Sequence, residues 1–269
     1  MTRTKTSLTT KAVSAVLTLA LLFSFAQFSA GAARQPSESA SSAVLFDADT
    51  GELLYSDSPD VPRSIASITK IMTALVVLEN LKLTDSVIYK QEWCDTEGSS
   101  SFFKAGETYT VRQMLYALIL HSGNDTAVAL ANTAAGGTDK FAELMNKRAA
   151  EIGMTNSYFA NPHGLEQEGH QSTARDMALL TAEALKNPRF MLIASTRVAK
   201  VGGISFKNHN RLLWDYPQAI GIKTGYTKAA GRTLVSAAAK NGRTLICVTL
   251  NDPCDWLDHT ELYNWGFSR

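Results

Sequence analysis

The fold of this chain is decided by the stretch Ser67-Ile68-Thr69-Lys70-Ile71-Met72-Thr73-Ala74-Leu75-Val76-Val77-Leu78. Apolar residues occupy nearly every position from Ile71 to Leu81, with few polar interruptions. A helix that is apolar on every face has to be buried on every side. We therefore predict a helix here that runs through the centre of the domain.

Ser67 and Lys70 form an S-x-x-K motif at the start of this run, one helical turn apart. A serine hydroxyl is a poor nucleophile until a base removes its proton. A lysine can be that base when burial and a neighbouring positive charge keep it neutral. The pair is therefore a candidate nucleophile and base, although a lone S-x-x-K more often marks a capped helix with a surface lysine.

Two further short motifs follow in chain order, Ser122-Gly123-Asn124 and Lys223-Thr224-Gly225. Alone, the first is typical of an ordinary turn and the second of an edge strand. Beside a serine–lysine pair, Ser122 can shuttle a proton to a leaving amine, and Asn124 can hydrogen-bond the lysine and the substrate backbone. Asp125, the next residue, is interpreted as a local cap and not as a catalytic carboxylate.

The Lys223-Thr224-Gly225 strand can supply the binding half of such a site. Gly225 has no side chain, so that a substrate can lie alongside the strand. Lys223 and Thr224 then face a carboxylate of the substrate, and the Lys223 charge lowers the pKa of the catalytic lysine. The backbone N–H groups of Tyr226 and Ser67 can together form an oxyanion hole.

Strand patterns occur at both ends of the chain and helical patterns occur in the middle. Strands are predicted at 43–46, 52–55, 221–225, 232–239 and 243–250, with Asn241-Gly242 as a tight hairpin turn. Helices are predicted at 111–120, at 141–152, from Ser172 or Thr173 onward, and at 256–265. This order indicates an α+β domain, with helices on one antiparallel sheet, a helical lobe, and a cleft between them.

The first 32 residues have the organisation of an export signal peptide. Three basic residues and no acidic one accompany an apolar stretch at 12–28, and Ala30-Gly31-Ala32 is an A-x-A cleavage site. We expect cleavage after residue 32, and retention as an N-terminal anchor is the alternative. Residues 33–42 are predicted to be a flexible tether, and residues 43–269 the catalytic domain.

Composition limits the classes of partner. The leader holds three of the 26 basic residues and none of the 25 acidic ones, so the remainder has a formal net charge of −2. No basic patch stands out, and no nucleic-acid partner is expected. No transmembrane segment is predicted after the leader.

The cysteines and histidines do not indicate a metal site or a disulfide scaffold. An odd count of three cysteines excludes full pairing, and Cys247 lies in an apolar strand pattern. A bridge between Cys247 and Cys254 stays open, and no cysteine lies in a recognisable catalytic context. The five histidines show neither H-x-x-x-H nor H-x-H spacing, so we expect no zinc site and no cofactor.

The three motifs together are the signature of penicillin-binding proteins and class A β-lactamases. The chain resembles one such group, the low-molecular-mass penicillin-binding proteins, which are serine D-Ala-D-Ala carboxypeptidases. The resemblance covers essentially all of residues 40–269. Besides the motifs it includes Gly106-Glu107-Thr108-Tyr109-Thr110-Val111, Asn161-Pro162-His163-Gly164-Leu165, Ser172-Thr173-Ala174-Arg175-Asp176-Met177-Ala178 and Asn210-Arg211-Leu212-Leu213-Trp214.

The resemblance implies a fold of the β-lactamase and penicillin-binding transpeptidase type, with a five-stranded antiparallel sheet flanked by helices plus a helical lobe. It implies Ser67 as the acylated nucleophile, Lys70 as its base, and Ser122 and Asn124 as the rest of the proton relay. The implied substrate is the pentapeptide stem of peptidoglycan, which loses its terminal D-alanine, and β-lactam antibiotics are the implied covalent inhibitors. Lys223 and Thr224 would bind the terminal carboxylate, in an extracytoplasmic setting.

This chain departs from the family pattern in one substrate-binding segment. Some members have an arginine in an N-x-N-x-L-L segment that helps to hold the carboxylate. Here the segment is Asn208-His209-Asn210-Arg211-Leu212-Leu213. His209 stands at the place of that arginine and Arg211 is shifted, so both are candidate carboxylate ligands. Many members also carry a C-terminal β-rich domain and a membrane anchor, and no C-terminal anchor is expected here.

Three alternatives to a carboxypeptidase stay open at this point. A class A β-lactamase needs a glutamate in an E-x-x-x-N pattern, but His170 and Ser172 stand four residues after Glu166 and Glu168. We therefore expect penicillin to form a long-lived acyl-enzyme and not to be turned over quickly. A D,D-endopeptidase acting on cross-links and an inactive wall-binding homologue are the other two.

Overall fold

The strands of this protein lie mainly at the two ends of the chain, and the helices lie between them. The computed structural model describes residues 35–269, so the leader predicted at 1–32 lies outside the described residues. The strands are β1 (Ser42–Asp47), β2 (Leu53–Asp57), β3 (Ser86–Ile88), β4 (Thr108–Thr110), β5 (Val198–Val201), β6 (Ile204–Lys207), β7 (Ala219–Thr227), β8 (Gly231–Lys240) and β9 (Arg243–Leu250). The helices are α1 (Lys70–Asn80), α2 (Gln91–Cys94), α3 (Val111–Tyr116), α4 (Asn124–Ala135), α5 (Thr138–Ile152), α6 (Ala174–Leu185), α7 (Pro188–Ala194), α8 (Leu212–Asp215) and α9 (Asp255–Gly266).

A five-stranded antiparallel sheet in the order β2-β1-β9-β8-β7 joins the two ends of the chain. The predicted hairpin between β8 and β9 is confirmed, since Lys240 pairs with Arg243. Asn241 and Gly242 have φ angles of 53° and 78°, which a two-residue type I′ turn requires. β7, which carries Lys223-Thr224-Gly225, lies at the edge of the sheet and so can border a cleft.

The apolar stretch after Ser67 forms the central helix, as predicted. Every residue of α1 from Lys70 to Leu78 is buried. The helix is surrounded by α4, α5, α6 and α7, so its apolar residues contact neighbours on all sides. Ser67 itself precedes the α-helix and lies in a 3₁₀ turn, Ala66–Thr69. The half-buried serine therefore lies just before a helix that is buried over most of its length.

The two faces of the sheet belong to different apolar cores. One face joins the helical core around α1. The other face packs against α9 through residues such as Leu262, Tyr263 and Trp265. Cys247 is buried in β9, as predicted, and the three cysteines, all within the described residues, are free thiols. Among residues 35–269, no helix has the length and hydropathy that a bilayer span requires.

The described part of the predicted tether is anchored and not free. The hydroxyl of Ser39 lies 2.9 Å from Asp252 Oδ1 and 2.8 Å from Asp258 Oδ2, and the N–H of Ser41 donates to the carbonyl of Leu250. Ser42 already belongs to β1. The ordered domain thus begins before residue 43, because carboxylates near the C-terminus hold small polar residues that look like a linker in the sequence.

Candidate active site

Ser67 and Lys70 meet at the start of α1. The Nζ atom of Lys70 lies 3.0 Å from Oγ of Ser67. Lys70 is wholly buried, whereas Ser67 is half-buried and faces a cleft. The helix start therefore places a reachable hydroxyl over a lysine that is shielded from water.

Two further oxygens hold the amine of Lys70. Nζ lies 2.7 Å from Oδ1 of Asn124 and 2.6 Å from the backbone carbonyl of His163. A neutral amine has two N–H donors and one lone pair, so it can donate to these two oxygens and keep its lone pair for the proton of Ser67. The geometry suits a general base. The contact with Asn124 agrees with the sequence prediction, and the His163 carbonyl was not predicted.

The electrostatic setting also favours a neutral lysine. Burial lowers the pKa of Lys70 well below its usual value, and the charge of Lys223 lowers it further, while Asp125 acts in the opposite direction. Burial also lowers the pKa of Lys223 to about 7. When two lysines are buried close together, protonation of one disfavours protonation of the other, as the sequence suggested.

Burial distinguishes this S-x-x-K from a second stretch with the same spacing, Ser101 to Lys104. There the hydroxyl of Ser101 is 2.8 Å from Oδ1 of Asp125, while the side chain of Lys104 is 78% exposed. The amine of Lys104 lies 3.9 Å from Glu107 in solvent and lacks the burial of Lys70. The two S-x-x-K stretches therefore differ in burial although their spacing is the same.

Ser122 occupies a strained corner beside the same cleft. A continuous helix was predicted at 111–120, but α3 gives way to a π-helical turn, Ala117–His121, and Ser122 follows in the left-handed region at φ 69°. Such strain in a residue other than glycine is typical of functional sites. Oγ of Ser122 is buried, and no protein group among the described residues hydrogen-bonds to it. A hydroxyl held in this way is free to pass a proton.

Asn124 and Asp125 begin α4 and connect it to the loop before it. The amide of Asn124 donates to the carbonyl of Glu97 at 2.8 Å, which orients the oxygen that faces Lys70. The buried carboxylate of Asp125 accepts from the N–H of Ser101 at 2.9 Å. Asp125 is therefore a structural residue, although it ties down this loop as well as its own helix.

The structure gives a steric reason for a glycine at position 225, besides the predicted access for substrate. A Cβ atom at this position would lie 2.4 Å from Oγ1 of Thr233 and 2.9 Å from the backbone nitrogen of Ser67. The strand and the nucleophile turn already touch here, so any side chain would push them apart. This contact brings the backbone of β7 next to the N–H of Ser67, where the oxyanion hole with the Tyr226 N–H is expected. The side chain of Tyr226 is itself 66% exposed at the mouth.

The two candidate carboxylate ligands of the N-x-N-x-L-L segment lie apart. His209 lines the cleft, but burial, followed by the charge of Lys223, lowers its pKa to about 4. The ring is therefore neutral at pH 7. Arg211 does not line the cleft, because its side chain turns to Asp215 and is 65% exposed. The structure thus brings His209 to the site without a charge and does not bring Arg211 there.

The cleft between sheet and helical lobe has a volume of about 350 Å³. The predicted residues that line it come from all three motifs. Four others were not predicted from the sequence: Ser99, Arg232 at the start of β8, and Asp255 and Trp256 at the start of α9. The full lining is Ser67, Ser99, Ser122, His209, Thr224, Gly225, Tyr226, Arg232, Asp255 and Trp256.

Gly164 locks the loop that carries the His163 carbonyl, and Gly164→Ala should therefore damage the site. Its φ is +92°, and a Cβ there would lie 2.0 Å from the carbonyl oxygen of Ala66. We expect a loss of about 2–4 kcal/mol in the free energy of unfolding by urea, with loss of serine acylation. Gly153→Ala is the matched control, since its φ is +88° and no atom lies within 4 Å of the added carbon. Equal losses in the two variants would contradict the close contact.

Replacing the buried Lys223 with methionine should stabilise the fold while it disables the site. Because the folded-state pKa is lowered from 10.5 to about 7, the unfolded chain binds the extra proton between these values. The gain should be about 2–4 kcal/mol at pH 7 and below, and should shrink as the pH rises towards 10.5. Urea unfolding of both proteins at pH 6, 7 and 9 measures it. A variant that is less stable than wild type at pH 6 would contradict the cost assigned to this lysine.

Comparison with known proteins gives a consistent result. The family model described as D-alanyl-D-alanine carboxypeptidase, peptidase S11, matches residues 29–254. The chain is 38% identical to the D-alanyl-D-alanine carboxypeptidase DacF of Bacillus subtilis over 78% of its length, but it spans only 56% of that protein. It is 36% identical to DacB2 of Mycobacterium tuberculosis, over 89% of this chain and 86% of the relative.

A solved structure supports the same relationship. The DD-transpeptidase of Streptomyces K15 superposes with a TM-score of 0.83 and 34% identity, over 87% of this chain and 99% of that one. Because identity, coverage and fold agree, the likeness extends through the whole described domain and is not limited to the three motifs.

Proposed function

The chain belongs to the peptidase S11 family of D-alanyl-D-alanine carboxypeptidases, and from that premise we propose that it removes the terminal D-alanine from pentapeptide stems of peptidoglycan through an acyl-enzyme on Ser67. One observation carries the proposal. The amine of Lys70, wholly buried and placed to be neutral, lies 3.0 Å from Oγ of Ser67. This is the arrangement of a nucleophile activated by its own base.

Acylation requires three groups to act on the peptide bond between the last two D-alanines. Lys70 accepts the proton of Ser67 while Oγ attacks the carbonyl carbon. The N–H groups of Ser67 and Tyr226 stabilise the negative oxygen of the tetrahedral intermediate. Ser122 delivers its proton to the departing amine and regains one from the protonated Lys70, which frees D-alanine and leaves the shortened peptide as an ester on Ser67.

Deacylation uses the same groups in reverse. Lys70 and Ser122 take a proton from water as it attacks the ester carbonyl, and the proton returns to Oγ of Ser67 when the C–O bond breaks. In the first step the hydroxyl of Thr224 binds the terminal carboxylate of the substrate, and the buried Lys223, whose pKa is lowered to about 7, adds only a partial positive charge next to it. No cofactor takes part in either step.

The proposed substrate requires an extracytoplasmic location. Peptidoglycan stems lie outside the cytoplasmic membrane, and the leader predicted at residues 1–32 is the feature that supports export. β-Lactams, which resemble an acylating peptide, are proposed to react at Ser67.

Rapid β-lactamase activity is not favoured by the surroundings of Lys70. The group that contacts its amine from the loop after Pro162 is the carbonyl of His163. Glu166, the candidate deacylation base, is exposed and hydrogen-bonds to Thr227 at the end of β7. Glu166 is therefore not among the hydrogen-bond partners of Lys70, and slow deacylation of penicillin is expected.

A second candidate function, D,D-endopeptidase activity, is favoured by a neighbouring cavity of about 730 Å³. It shares His209 with the cleft and includes His121, the neighbour of Ser122. Because His121 is the neighbour of Ser122, which is proposed to protonate the leaving amine, we propose that this cavity receives the leaving group. It can accommodate a leaving group larger than D-alanine, such as the second stem of a cross-link.

Mass spectrometry of muropeptides tests both functions. Wild-type protein is incubated with pentapeptide monomers and, separately, with 4,3-cross-linked dimers. We expect loss of one D-alanine from the monomers, and cleavage of the dimers would support the second candidate. Rapid hydrolysis of penicillin with no release of D-alanine would overturn the proposal in favour of a β-lactamase.

A further inference from the structure

The proposed substrate ends in a carboxylate, and a cation in the cleft would bind it. None of the residues predicted to bind this carboxylate supplies a full positive charge there. His209 is neutral at pH 7, and Arg211 lies outside the cleft. Lys223 is 1% exposed and its amine donates to the carbonyl of Thr224 at 2.8 Å. A permanent positive charge in the cleft has to come from elsewhere.

Arg232 lies on the correct face of the sheet for this task. Tyr226 pairs with Arg232, and Thr224 pairs with Leu234, in the antiparallel register of β7 and β8. Residues directly opposite share a face, and residues two apart on one strand share it too. Thr224 and Arg232 are therefore diagonal neighbours on one face, about 7–8 Å apart at the backbone, within reach of an arginine side chain. Both line the cleft with Ser67.

The guanidinium of Arg232 is held in place at the start of α9. Its Nη2 lies 2.8 Å from both carboxylate oxygens of Asp255, and Nε lies 3.1 Å from Oδ2. The side chain of Asp255 is 3% exposed, whereas that of Arg232 is 43% exposed. The ring of Trp256 supports the guanidinium from one side, with 5.5 Å between Cζ and the ring centroid. A buried carboxylate and an aromatic face thus orient an arginine whose outer edge is open to the cleft.

The arrangement leaves hydrogen-bond donors for a ligand. A guanidinium has five N–H groups, and Asp255 engages those of Nε and Nη2. Within residues 35–269, Nη1 donates to no protein group. Its two N–H groups can meet a second carboxylate, because arginine presents donors on more than one edge.

We propose that the guanidinium of Arg232 binds the terminal carboxylate of the peptide substrate beside the hydroxyl of Thr224, and that Asp255 and Trp256 hold it in position. The inference rests on the proposed function and names the group that selects substrates with a free C-terminus. It assigns to the β8 strand the role that the sequence suggested for His209 or Arg211.

Two peptides that differ in one group test this assignment. One ends in D-Ala-D-Ala with a free carboxylate, and the other ends in D-alaninamide. In Arg232→Gln, kcat/KM for the free acid should fall about 10- to 100-fold, because a charged hydrogen bond is lost. The value for the amide should stay within about twofold of wild type, so that the preference for the acid collapses.

Further variants separate recognition from damage to the fold. Arg175→Gln removes an exposed arginine–aspartate pair with Asp60 and should leave both peptides unaffected. Arg232→Lys keeps a cation without the planar fork and should retain part of the preference. If Arg232→Gln does not fold, Arg232→Lys decides the matter, and an unchanged acid-to-amide ratio in that variant overturns the inference.

Failure of the inference and failure of the proposed function would give different results in this assay. An equal loss for acid and amide in Arg232→Gln would show that Arg232 acts through the fold and would overturn the inference alone. A wild-type protein that hydrolyses neither peptide would refute the proposed function before any variant is compared.

Discussion

Replacing Ser67 with alanine is expected to abolish D-alanine release and penicillin labelling together while the fold stays intact. The side chain of Ser67 is half-buried, and Lys70 is its hydrogen-bond partner at 3.0 Å. The alanine variant therefore loses the nucleophilic hydroxyl but few packing contacts. The rate of D-alanine release should fall by about 10⁴-fold or more, because no other group can form the ester.

This result is measured as D-alanine released from a pentapeptide and as covalent labelling by a fluorescent penicillin. Ser195→Ala, at an exposed serine far along the chain, is the matched control and should keep both activities. The midpoint of urea unfolding should change little in either variant. Labelling that survives in Ser67→Ala would contradict the assignment of the nucleophile.

Lys70→Met is expected to lower the rate of acylation by about 10³-fold or more, because Ser67 then lacks its base. In the wild type, acylation needs the neutral amine. The rate should therefore fall as the pH is lowered through the depressed pKa of Lys70, and this pH dependence should vanish in the variant. Stopped-flow acylation by penicillin across pH 5–9 measures both effects.

The Lys70→Arg variant tests whether Lys70 acts as a general base or only positions the residues around it. Arginine can donate to Asn124 and the His163 carbonyl, but it cannot lose its proton in a protein. We expect it to be as slow as the methionine variant. An arginine variant that acylates at the wild-type rate would show that Lys70 only organises its neighbours.

The central helix and the motif residues could be predicted because their signals are local. The run from Ile71 to Leu78 has to be buried whatever surrounds it. Asn241-Gly242 identifies its hairpin without reference to the rest of the fold. The motif serines carry their chemistry in their side chains, so the presence of Ser67 and Ser122 in one cleft could be expected.

The groups that sequence reasoning missed act through backbone or through distant pairing. The His163 contact is made by a carbonyl, which every residue has, so no residue type indicates it. The anchoring of Ser39 by Asp252 joins positions more than 200 residues apart. The π-helical turn before Ser122 follows an ordinary apolar helix pattern, which gives no sign of the break.

Arg232 was missed although a signal existed. β7 and β8 are joined by a short loop, and counting back from the turn places Arg232 opposite Tyr226. The register of a hairpin, combined with the side-chain period of two, would have put an arginine on the face of Thr224. The N-x-N-x-L-L segment instead indicated Arg211, whose side chain turns to Asp215.

Intact-protein mass spectrometry after brief exposure to benzylpenicillin tests the central claim most directly. The account predicts one added molecule of penicillin, on the proteolytic peptide that contains Ser67, and an adduct that persists long after free penicillin is removed. An adduct on another residue, or penicillin consumed with no adduct at Ser67, would contradict it.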